Sequence, residues 1–90
     1  MPTILIAEND AQVRKLLSTV LRNAGYDVIS ASGGESAVAA AERHPRPVDL
    51  LIADIVMPGM GGADLYAELK SVQPNLRVLF ISGFMNRQPL

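Results

Sequence analysis

The sequence predicts an α/β fold: a parallel sheet with helices on both faces. Three observations lead there. Apolar and amphipathic segments alternate in the order β-α-β-α-β-α-β along 90 residues. The strand segments are apolar at consecutive positions, the pattern of strands covered on both sides, where half-exposed strands would alternate. Acidic or hydroxyl residues stand where three of those segments run out, at Glu8, Asp54 and Ser82.

Each element has its own justification. Thr3 to Ala7 is short, apolar and rich in β-branched residues, which suits a buried strand. Asp10 or Asn9 can cap the helix that follows, whose apolar positions Val13, Leu16, Leu17, Val20, Leu21 and Ala24 keep helical spacing. Gly25 is placed to end it. Tyr26 to Ser30 reads as the second strand, and Ser32-Gly33-Gly34 turns into a helix from Glu35 to Arg43. Its Ala37, Ala40 and Ala41 allow close contact with a sheet. His44-Pro45-Arg46-Pro47 breaks that helix, with His44 expected in solvent. Val48 to Ala53 forms the third strand, and Gly59, Gly61 and Gly62 are expected to make a flexible loop. Ala63 to Val72 is a third helix stopped by Pro74-Asn75, and Leu76 to Ile81 is the fourth strand.

Composition narrows the function classes. With 49% apolar and 19% charged residues the chain reads as one globular domain over residues 1–90. A formal net charge of −1 without a Lys/Arg run gives no footprint for nucleic acid or an anionic membrane. No cysteine is present, so disulfides and thiolate metal sites are excluded. The run Ile4-Leu5-Ile6-Ala7 is far shorter than a signal-peptide core, and a cytoplasmic location is expected.

In open parallel sheets ligands bind beyond the carboxyl ends of the strands, where the strand order reverses. Asp54 stands at such an end. A carboxylate there is poorly explained by packing, since Asp is disfavoured in strands and costly to bury unpaired. If the order is 2-1-3-4, Glu8 and Asp54 meet, and Ser82 faces Asp54 from the next strand. Two close carboxylates repel unless a proton or cation sits between them, and oxygen-only ligands suit a hard ion such as Mg²⁺. Asp54 could then attack phosphorus and become an acyl phosphate, while Ser82 hydrogen-bonds a phosphoryl oxygen. A simpler role also exists for Glu8 and Asp10, because acids at a helix N-terminus are stabilising by about 0.3–1 kcal/mol without any metal.

Ile4-Leu5-Ile6-Ala7-Glu8-Asn9-Asp10, Asp54-Ile55-Val56-Met57-Pro58-Gly59-Met60-Gly61-Gly62 and Val78-Leu79-Phe80-Ile81-Ser82-Gly83 together resemble the receiver domain of two-component response regulators. The resemblance covers the whole chain. It implies a flavodoxin-like, receiver-type sheet of order 2-1-3-4, and a signalling module with no enzyme activity of its own. It further implies that Asp54 accepts phosphate from a histidine kinase or a histidine phosphotransfer protein. Glu8, Asn9, Asp54 and the backbone carbonyl of Val56 would surround Mg²⁺ or Mn²⁺, and Ser82 would be the switch hydroxyl.

Two departures from the family pattern shape the expectations. Asn9 stands where members usually carry a second metal-binding acid, so weaker metal binding is expected, with Asp10 a candidate to compensate. The family's last strand with its lysine, and its last two helices, have no counterpart before Leu90, and Lys15 and Lys70 do not match that lysine. Switching is therefore expected to be impaired. The fourth strand becomes an edge, and a homo-oligomer formed through it is expected, with Phe80, Phe84 and Met85 near the contact. The alternatives are a non-switching interaction module on the same scaffold and, less well matched to the acidic mouth, a small flavin- or nucleotide-binding α/β protein.

Overall fold

The structure, a computed structural model, describes residues 1–82. It comprises β1 (Thr3–Ala7), α1 (Ala11–Asn23), β2 (Asp27–Ala31), α2 (Gly34–Arg43), β3 (Leu50–Asp54), α3 (Gly62–Val72) and β4 (Arg77–Ile81). All strand pairs are parallel and the order is β2-β1-β3-β4, as the sequence led us to expect. The expected contribution of Phe84 and Met85 lies outside the described residues. No helix among the described residues is long and apolar enough to cross a membrane.

Consecutive apolar residues fill two separate layers because neighbouring side chains on a strand point to opposite faces. Leu5, Ala7, Leu51 and Ala53 pack on one face with Ala37, Ala41, Leu65 and Leu69 of α2 and α3. Ile4, Ile6, Val28 and Ile52 pack on the other, where α1 contributes Leu17 and Leu21. Each large side chain buried here contributes about 1.5–3 kcal/mol.

One strand boundary is flanked by side-chain hydrogen bonds from distant segments. The third strand starts at Leu50, two residues later than expected. Val48 N–H is held by Gln73 Oε1 at 2.8 Å, and the Asp49 carboxylate accepts the Thr3 N–H at 2.7 Å. At its other end β3 includes Asp54, which fixes that carboxylate on the rigid sheet.

The α1 stripe is only half used. Leu17 and Leu21 face the sheet, whereas Leu16 and Val20 are 63% and 55% exposed. The buried residue of this helix is Ser18, whose hydroxyl donates to the Arg14 carbonyl at 2.8 Å and so is buried already satisfied. Asp10 is the N-cap, accepting from the amides of Gln12 and Val13. At the other end Gly25 takes φ 97°, a left-handed conformation that glycine adopts without a Cβ penalty.

At the N-terminal end of the sheet, Asp27 gathers three donors. Its Oδ2 accepts from Arg46 at 2.6 Å and from Thr3 Oγ1 at 3.2 Å, and lies 3.1 Å from His44 Nε2. The His44 side chain is 13% exposed, so the expectation of a solvent-exposed histidine is corrected. The segment after α2 returns to the start of β2, where the imidazole finds its partner. The Arg46 hydrogen bond, helped by Thr3 and by the charges of Arg46 and His44, holds the Asp27 carboxyl below its ordinary range against the opposing effect of desolvation.

Candidate functional site

Sheet register assembles the site. Ala7 pairs with Ala53, so the next residues, Glu8 and Asp54, come level at the carboxyl ends of neighbouring parallel strands. Level residues on adjacent strands share a face. Both are buried, Glu8 fully and Asp54 to 1% exposure. Asp54 is also level with Ile81, the last residue of β4, which puts the half-buried Ser82 one residue beyond that level, just after the strand. The acid, acid and hydroxyl expected to converge therefore stand at the carboxyl ends of three neighbouring strands, β1, β3 and β4.

Each carboxylate is held by backbone. Glu8 Oε2 accepts the Asp10 N–H at 2.9 Å, and Asp54 Oδ1 accepts the Val56 N–H at 3.1 Å. Asp54 Oδ2 is buried with no hydrogen-bond partner among the described residues. Such an orphan is costly unless a ligand completes it. Asn9 is exposed at the bend after β1 and beside the site. Asp10, considered above as a substitute ligand, is engaged as the α1 cap through Oδ1.

Three contributors were not read from the sequence. Arg14 donates from its guanidinium to the Glu8 carbonyl at 2.8 Å, tying α1 to the acidic end of β1. The signal was present as an arginine four positions past the Asp10 cap, on the first turns of the helix that follows the acidic cluster. The Val56 amide acts where only its carbonyl was considered. Gly62, expected in a flexible loop, is the buried first residue of α3, and its N–H donates to the Ile55 carbonyl at 3.1 Å. A Cβ there would meet the Asp54 carbonyl oxygen at 2.5 Å, so the close approach of α3 to the site strand requires glycine.

The donor set fits a hard divalent cation. Two level, buried carboxylates, one with an oxygen lacking a protein partner, form an oxygen-only site. Among the described residues no group of three or more His, Cys, Asp or Glu side chains converges. Amide and backbone oxygens and water would have to supply the remaining positions, as is usual for Mg²⁺.

Residues 4–89 match the family model of the response regulator receiver domain. This chain belongs to that family. The response regulator receiver protein CpdR of Brucella abortus is 39% identical over 84 residues, which are 93% of this chain and 68% of that protein. The probable transcriptional regulatory protein TcrX of Mycobacterium tuberculosis is 35% identical over 90% of this chain, which spans only 34% of it. Among solved structures, response regulator TrrA of Thermotoga maritima, in complex with Mg²⁺ and BeF, superposes with a TM-score of 0.82 at 26% identity, covering 98% of this receiver and 75% of that chain. The complex of TrrA with the histidine kinase ThkA matches with a TM-score of 0.78 at 27% identity, over 93% of this receiver and 71% of that chain.

Proposed function

We propose that this receiver takes a phosphoryl group on Asp54 from a phosphohistidine of a histidine kinase or histidine phosphotransfer protein. The observation that carries the reading is the Asp54 carboxylate itself. It is fixed at a strand end, held through Oδ1 by the Val56 amide, and left with a buried second oxygen that no described residue satisfies. That oxygen is the nucleophile. It attacks phosphorus, the phosphorus–nitrogen bond of the donor breaks, and the imidazole leaves with the bonding electron pair. The product is an acyl phosphate on Asp54.

The remaining residues position and neutralise. Glu8, Asn9, Asp54 and the Val56 carbonyl would hold Mg²⁺ or Mn²⁺, which when bound screens the negative charge of the incoming phosphoryl group. Arg14 and the Asp10 amide fix Glu8 in place, from its carbonyl and its carboxylate respectively. The Ser82 hydroxyl donates to a phosphoryl oxygen after transfer. Asn9 contributes a neutral amide oxygen, a weaker ligand than a carboxylate, so metal affinity should be low and should rise with Asn9→Asp. Titration with Mn²⁺ followed by electron paramagnetic resonance reads this directly.

Incubation with acetyl phosphate or phosphoramidate and Mg²⁺, read by intact mass, tests the reading. One phosphoryl group should appear on the native chain and none on Asp54→Asn. No incorporation, or incorporation that survives Asp54→Asn, overturns it.

A second reading rests on a separate observation. Ile55 and Val56, directly after the phosphoacceptor, are 48% and 57% exposed. They offer an apolar contact for a partner that binds whether or not Asp54 is phosphorylated, which would make the chain a non-switching interaction module. Equal partner affinity before and after phosphorylation would favour this reading over the first.

A further inference from the structure

Ala37 and Ala41 of α2 pack with Leu65 and Leu69 of α3 on one face of the sheet. Alanines bring the helices together there but are too short to fill the space above the contact. A groove of two hollows, of about 320 and 340 Å³, results. The hollows join, because Val38, Glu42 and Glu68 line both. Leu69 and Val72 complete the apolar floor of the first and Met60 that of the second, with Val72 73% exposed. Both banks are formed by elements that precede β4.

The rim of this groove is acidic. Glu35 and Glu42 stand on the α2 bank and Glu68 on the α3 bank, all three exposed. None of them is ion-paired among the described residues. No described basic side chain lines either hollow. Lys70, the one base of α3, is turned to the other side of its helix. Its Nζ donates to the Leu76 carbonyl at 3.4 Å and lies 5.4 Å from the centroid of the Tyr66 ring, which meets Phe80 of β4 edge-on. Three like charges around one groove repel each other, and a cationic occupant removes that repulsion.

We propose that the groove between α2 and α3 docks a basic amphipathic helix of a partner protein. Glu35 and Glu42 lie two turns apart on α2, about 10.5 Å along the axis. A docked helix of the same rise places apolar side chains at i and i+7 in the two hollows, with i+3 or i+4 over Val38. Lys or Arg residues beside that stripe then face Glu35 and Glu42 on one bank and Glu68 on the other.

Charge selects this occupant over the others. An acidic segment would be repelled from both banks, and an uncharged apolar ligand would leave three glutamates unmatched. A helix is selected over an extended peptide because the groove offers helix flanks, whereas strand addition needs the open edge of a sheet. Nothing in the groove requires Asp54 to be phosphorylated, so the test uses the unphosphorylated chain.

The probe is a synthetic helical peptide of about 15 residues with a leucine stripe flanked by lysines, and its control carries glutamate for every lysine. In an NMR titration of the 90-residue chain the lysine peptide should bind with a Kd of about 100 μM or tighter, with amide shifts centred on Val38, Glu42, Glu68 and Val72. Raising NaCl from about 0.05 to about 0.5 M should weaken binding about tenfold. Glu42→Gln with Glu68→Gln should also weaken it about tenfold. Thr19→Lys with Asn23→Lys makes the same change in net charge at exposed positions of α1 and should alter it less than twofold. Val72→Ser, at an exposed position where the fold does not need the valine, should weaken it about threefold. All three variants should keep the native far-ultraviolet spectrum. Absence of binding, equal binding of the glutamate peptide, shifts centred outside the groove, or an equal loss from the α1 pair overturns the proposal. So do groove shifts that appear on raising the protein concentration alone, which would make a second copy of the chain the occupant.

Discussion

Alanine at position 62 should disturb the proposed site at Asp54 and the fold together. Its Cβ would lie 2.5 Å from the Asp54 carbonyl oxygen, 3.1 Å from the Asp54 carbonyl carbon and 3.3 Å from Ile55 Cα. Ordinary van der Waals separation is about 3.5 Å, so α3 or the end of β3 must retreat by about 1 Å. Both are backbone and cannot rotate aside. Overpacking of this kind costs about 1–3 kcal/mol, and the helix preference of alanine over glycine, at most about 1 kcal/mol, returns part of it. A net loss of about 1–2 kcal/mol is expected in urea unfolding with an unchanged slope. The same shift moves Asp54, and misplacement of a reacting group by about 1 Å can slow chemistry by about 100-fold. Phosphorylation from acetyl phosphate, followed by mass, should therefore slow about 10- to 100-fold. Ala67→Gly on the exposed side of α3 separates the two effects. It should cost about 0.5–1 kcal/mol without slowing phosphorylation. If Gly62→Ala matched the native chain in both stability and rate, the close approach would have no role.

Other outcomes follow from the same structure. Asp54→Asn should stabilise the metal-free chain by about 1 kcal/mol, because it removes a buried charge with an unsatisfied oxygen, and added Mg²⁺ should raise the melting temperature of the native chain only. Asp27 is held below its ordinary carboxylate range, so its contribution is present above the unfolded-chain value of about 3.9 and is lost as pH falls through the folded value. Asp27→Asn should accordingly flatten the acid limb of a stability-versus-pH curve measured by urea unfolding. Leu65→Ala, at a fully buried α3 position, should cost about 2–5 kcal/mol by calorimetry or urea unfolding.

Much of the fold could be read because its strands are written as apolar runs that helices cannot imitate at that length. The expected strand order 2-1-3-4 sets Glu8 beside Asp54. The sequence misled where a pattern has two solutions. The α1 stripe is wide enough to face two ways, and periodicity alone does not say that Ser18 is buried while Leu16 and Val20 are not. Contacts between distant segments were also hidden. Nothing local to His44 names Asp27 as its partner, and nothing local to Gly62 reveals the Asp54 carbonyl 2.5 Å from its missing Cβ. Those facts depend on how loops return across the ends of the sheet.

The two ends of that sheet treat their acids in opposite ways, and this contrast supports the proposed division in which Asp27 serves stability and Asp54 chemistry. Asp27, at the start of β2, is 29% exposed and still has a hydroxyl, an imidazole and a guanidinium around one oxygen. Asp54, at the end of β3, is 1% exposed and among the described residues has one backbone amide for one oxygen and no partner for the other. Physical cost runs the other way, since the more deeply buried charge needs the more complete set of partners. An arrangement that spends its cations where they are least needed is explained if the site at Asp54 is completed from outside the chain, by a cation and a phosphoryl group. Neutralising Asp27 should therefore weaken the fold at neutral pH, while neutralising Asp54 should strengthen it and abolish phosphorylation.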